Sequence, residues 1–143
     1  MNRILRSSAP LALAATLLLG ACTEAPSGEH VVNEPVRLEE IPGTEFERVI
    51  LTQQAVERTG IETTVVKKKG KHLIVPHSAI LFDPEGKVWV YTNPEPRTYV
   101  RHEVELVTET GEAAILSEGP SPGTRIVTIG VPELYGAEYE IGH

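Results

Sequence analysis

Between Lys71 and Gly130 no uninterrupted apolar run is longer than four residues. Leu73 to Val75, Ala79 to Phe82, Val88 to Tyr91 and Ala113 to Leu116 are cut apart by Pro, Gly, Asp and Asn. Runs of this length suit strands and are too short for buried helices. Asp83-Pro84-Glu85-Gly86 puts Pro and Gly where a β-turn accepts them, so Ala79 to Thr92 reads as a hairpin. Asn93 to Pro96 reads as a second turn, and Gly119 to Gly123 as a tight loop. Val100, His102, Val104 and Leu106 alternate with Arg101, Glu103 and Glu105. That period of two predicts a half-buried strand with its even-numbered side chains inward. Arg125 to Ile129 is a further strand, closed by Gly130. The expected class is mainly β: a small antiparallel β-roll or barrel-like domain.

Upstream, Phe46 to Leu51 is apolar enough for a strand, and Ile61 to Val66 is β-branched and extended. Thr52 and Gly60 are suited to cap one short helix between them. Downstream, Val131 to His143 predicts a short helical turn after Pro132 and a loose end. Thr23 to Thr44, rich in Pro, Gly, Ser and acidic residues, reads as a flexible tether; Val31-Val32 and Val36 to Leu38 are its weak strand-forming spots.

The N-terminus has a different grammar. Arg3 and Arg6 precede an 11-residue apolar core, Ala9 to Leu19, followed by Gly20 and Ala21. This is the layout of a secretory signal. It falls short of the roughly 20 apolar residues a membrane-spanning helix needs. Leu19-Gly20-Ala21-Cys22 resembles the lipobox of bacterial lipoproteins. The resemblance implies cleavage between Ala21 and Cys22, with a diacylglycerol thioether and an N-acyl chain on Cys22. The only cysteine would then be the lipid attachment point, holding the chain to a bilayer in an extracytoplasmic compartment and leaving no thiol for an internal disulfide.

The resulting organisation is a signal over 1–21, a lipidated tether over 22–44, a β domain over 45–136 and a loose tail over 137–143. The chain has 13 basic and 20 acidic side chains; loss of Arg3 and Arg6 leaves 11 against 20, a formal charge of −9. Such a balance disfavours nucleic acid and electrostatic binding to anionic lipid. Lys67-Lys68-Lys69, with Lys71, reads as a solvated loop or strand edge.

Enzymatic chemistry finds little purchase. Ser78 adjoins His77, but neighbouring strand residues point to opposite faces, and there is no G-x-S-x-G elbow. The histidines, His30, His72, His77, His102 and His143, form no H-E-x-x-H motif. His72, His77 and His102 with a carboxylate are the alternative metal site, which would make the chain a metal- or small-ligand-binding surface lipoprotein. Trp89 and Tyr91, at i and i+2, share a face that is either core or a docking surface for a partner.

One ordered set of segments goes further. Val75-Pro76-His77-Ser78-Ala79-Ile80-Leu81 precedes Gly86 to Tyr91, then Val104 to Val107, Ile115 to Gly119, Pro122 to Val127, and Gly130. This order resembles the membrane-proximal part of periplasmic adaptor subunits (membrane fusion proteins) of resistance-nodulation-division efflux pumps. Leu51 to Ala55 with Gly60-Ile61 resembles the segment that precedes the lipoyl-like and hairpin parts of those adaptors. Here only Lys67 to His72 stands where the adaptors carry their lipoyl, hairpin and most barrel elements. The resemblance therefore implies an adaptor shortened to one domain. It would be non-enzymatic, without a cofactor beyond the Cys22 lipid, docking on a transporter of that class rather than building a tube. It also implies that residues 46–66 fold against residues 73–130.

Overall fold

A computed structural model describes residues 34–141 of the chain. Eleven strands and two helices follow in order: β1 (Val36–Glu40), β2 (Glu47–Leu51), α1 (Gln53–Thr59), β3 (Glu62–Val65), β4 (Lys67–Lys69), β5 (His72–Pro76), β6 (Leu81–Phe82), β7 (Val88–Glu95), β8 (Thr98–Glu103), β9 (Glu105–Thr110), β10 (Ala113–Glu118), β11 (Arg125–Ile129) and α2 (Val131–Ile141). A 3₁₀ turn, His77–Ala79, joins β5 to β6. The larger sheet has the order β1-β2-β8-β7-β11-β3, with β6 also on β7; the smaller is β4-β5-β10-β9. All pairings are antiparallel.

The larger sheet is the middle layer of three. Val90 and Ile126 face the smaller sheet, in a cluster with Leu73, Val75, Ala114 and Leu116. Their neighbours Tyr91 and Val127 face the other way, toward Ala55 of α1 and Val131 and Leu134 of α2. Burial on both faces explains why Val88 to Tyr91 reads as a continuous apolar run rather than an alternating one. The chain crosses between the sheets four times, twice at a buried valine. Val66 links β3 to β4 and Val104 links β8 to β9, at 2% and 4% exposure.

The expected union of the two segments is present: β2 pairs with β8 and β3 with β11. α1 also forms as read. The Thr52 side chain accepts from the Ala55 amide at 3.2 Å, and Gly60 closes the helix at φ 64°. Such a cap contributes about 1 kcal/mol.

Five boundaries differ from the sequence reading. β1 lies inside the segment read as tether, because Val36 to Leu38 pair with Val49 to Leu51. α2 continues through the segment read as a loose tail, so there are two helices, anchored by Val131 and Leu134 at 3% and 1% exposure. β7 runs on to Glu95, through the segment read as a turn. Ala79 lies in the 3₁₀ turn rather than in a strand, leaving Leu81–Phe82 as the strand. Finally, the strand read through Val100 to Leu106 is two strands in different sheets, and His102 is exposed while Tyr99 is buried. The turn at Val104 reassigns the faces, which a single period of two cannot express.

Candidate functional site

Trp89 and Tyr91 are inside the molecule, at 3% and 0% exposure, so they offer no docking surface. What covers them is the part of α2 that sequence reading left as a tail. Glu138, itself 7% exposed, receives the Tyr91 hydroxyl on Oε2 at 2.6 Å and Arg101 Nε on Oε1 at 2.9 Å. The Arg101 guanidinium lies 4.9 Å from the Trp89 ring, 5.9 Å from Phe46, 6.0 Å from Tyr135 and 5.7 Å from Tyr139. Trp89 is fixed in turn by its Nε1–H bond to Asp83 Oδ2 at 2.8 Å and by an edge-on contact with Phe46 at 5.5 Å. A buried cation is thus held by one carboxylate and a ring of aromatic faces, which offsets the cost of removing its charge from water.

The electrostatics follow from that enclosure. Burial, then the hydrogen bond to Glu138, push the Tyr91 phenol far above its ordinary range. Burial alone would lower the Arg101 pKa, but the Glu138 charge and hydrogen bond together with the Tyr91 and Tyr139 phenols outweigh it, and the net shift is upward. The Tyr135 hydroxyl is shut off from solvent without a well-formed hydrogen bond. The neighbouring Tyr139 phenol, its ring 4.5 Å away, is nonetheless close enough to push Tyr135 up to about 12. This cluster clamps α2 onto the sheet.

An open concavity lies elsewhere, where the two sheets part. A groove of about 620 Å³ runs between Thr64, Val65 and Lys67 on one side and Ile74 to Ser78 on the other, floored by Ala113 and bordered by Glu112. His77 Nε2 lies 3.0 Å from Glu109 Oε1, with the imidazole half exposed. The histidine is thus committed to a carboxylate rather than to Ser78.

The alternative metal site does not form. His72 opens β5 opposite Lys69, and His77 follows the end of the same strand, roughly 16 Å on at strand spacing. His102 sits in the other sheet, opposite Val90. Among the described residues no three His, Cys, Asp or Glu side chains are placed to hold a metal ion. Ala21 and Cys22, the expected cleavage and lipid positions, lie outside the described residues. Among those described, no helix is long and apolar enough to cross a membrane.

Sequence reading missed Arg101 and Glu138. The signal was present in one of them: Glu138 continues the Val131, Leu134 spacing that defines a buried helical stripe. An acidic residue on such a stripe requires a buried partner. No protein-family model, curated protein or solved structure matches the chain.

Proposed function

We propose that the chain is a lipid-anchored, extracytoplasmic accessory protein that docks on a membrane efflux transporter through its β domain and has no catalytic role. The observation that carries this reading is the pairing of β2 with β8 and β3 with β11. Segments that the adaptors resembled in the sequence analysis hold far apart in the chain are adjacent here, joined through the short β4–β5 hairpin. The domain is therefore complete without the lipoyl and hairpin parts, and a role in docking needs neither. The lipobox-like Leu19 to Cys22 supplies the anchor. Multiple acyl chains on one residue give stable attachment, since each buried CH₂ contributes about 0.8 kcal/mol. The enclosed Arg101 cluster and the His77–Glu109 pair supply rigidity and surface, not an acid–base site.

The test is fractionation and co-purification from the native cell with the wild-type chain and Cys22→Ala. The wild type incorporates labelled fatty acid, stays with membranes and brings down a multi-spanning transporter of the resistance-nodulation-division type. The variant loses label and membrane attachment. An unlabelled wild-type chain, or a wild-type chain that brings down no multi-spanning transporter, contradicts the reading.

A further inference from the structure

Four of the five lysines of this acidic chain lie within five residues, at Lys67, Lys68, Lys69 and Lys71. Three of them are the whole of β4, fully on the surface, and β4 is an edge of the smaller sheet. Among the described residues none of the four forms an ion pair. Lysines on a short edge strand guard it against pairing with a second copy of itself, because the like charges meet. A run of unpaired lysines on an open edge, in a chain of net charge −7, is an island of positive potential. The same edge leads into the groove between the sheets, where Val65 is 43% exposed and lies across from Ile74 and Pro76.

We propose that the β4 edge is a strand-addition site for an extended acidic segment of a partner protein. The partner's backbone pairs with the free side of β4, its carboxylates meet the lysines, and an apolar side chain enters the groove beside Val65. Main-chain pairing gives such sites affinity, and pockets for alternate side chains give specificity. A lipid surface cannot supply a hydrogen-bonding backbone, and the acidic body of the molecule repels an anionic bilayer. The proposal deepens the docking reading by naming a surface and a partner chemistry; it rests on that reading only for the partner's origin.

The test uses the full-length chain in detergent and a fluorescent peptide that alternates Glu with Val and Thr. Saturable binding is expected, with new amide-exchange protection confined to β4. Lys68→Glu combined with Lys69→Glu is expected to weaken binding by more than about tenfold, because like charges across a contact cost several kcal/mol. Absence of binding to the wild-type chain overturns the proposal. So does equal binding when Lys replaces Glu in the peptide, or protection elsewhere than β4. Binding to phosphatidylglycerol vesicles but not to the peptide overturns it in favour of a lipid-facing patch. Should the double variant fail to fold, the exchange pattern of the wild type decides alone. Peptide binding in a chain that co-purifies with no transporter retains this site and discards the transporter reading.

Discussion

Glu138 accepts from Arg101 and from Tyr91 at 2.9 and 2.6 Å, with the side chains of Glu138 and Arg101 only 7% and 12% exposed. A buried pair of this kind adds little net stability over an apolar replacement, but losing one partner strands the other charge. Glu138→Ala is therefore expected to cost about 3–5 kcal/mol. Arg101→Met together with Glu138→Leu is expected to recover most of that loss. Urea unfolding of Arg101→Met, Glu138→Leu and the double variant measures the coupling. The phenols add a pH signature. Tyr91 and Tyr135 both have folded pKa values above their unfolded value of about 10. The folded state thus holds these protons more tightly, so the contribution is complete below about pH 10 and declines as pH rises toward 12 and beyond. Thermal midpoints should fall above about pH 10, with a shallower fall in Tyr91→Phe. Asp83 acts at the opposite end. Loss of solvent would raise it, but the bonds from Trp89 and the Lys87 amide hold it below its usual range, so that contribution fades as pH drops through the acid range.

At the scale of elements, the strand pattern was legible wherever one run served one sheet. Leu73 to Val75 and Arg125 to Ile129 needed only length and turn punctuation, and α1 needed only Thr52 and Gly60. The strand through Val104 was not legible, because it leaves one sheet for another and the inward face changes at the corner. β1 was legible only as the weak strand-forming spot at Val36 to Leu38. Its five residues are only partly buried, and their stability comes from pairing with β2, which no local composition reports. α2 was read short because Gly136 and three acidic residues suggest a solvated tail, whereas its apolar stripe closes over the sheet. The entry to that helix is sharp. Gly130 has φ 96°, and a Cβ there would sit 2.4 Å from Ile61 Cγ1. Gly130→Ala combines backbone strain of about 1–3 kcal/mol with a steric clash. It should lower the urea midpoint and free the α2 amides to exchange first, whereas Gly136→Ala, with nothing near its Cβ, should be neutral or stabilising by up to about 1 kcal/mol.

For the whole molecule, three layers share one sheet, and that sheet is built from segments on both sides of the lysine hairpin. A groove and the lysine-rich strand lie together at the edge where β3 passes into β4. Aromatic docking residues, the sequence's most visible candidates, turned out to be interior, because the period of two fixes which face they share but not what lies over it. The central claim is the proposal that the domain is lipid-anchored and works against a transporter. In-cell photo-crosslinking from Val65, beside the β4 edge, and from Phe82, both exposed, measures it directly. The account predicts crosslinks from at least one of these positions to the extracytoplasmic part of a multi-spanning efflux transporter, lost when Cys22→Ala removes the anchor. Crosslinks only to soluble proteins, or to the transporter equally with and without the anchor, would contradict it.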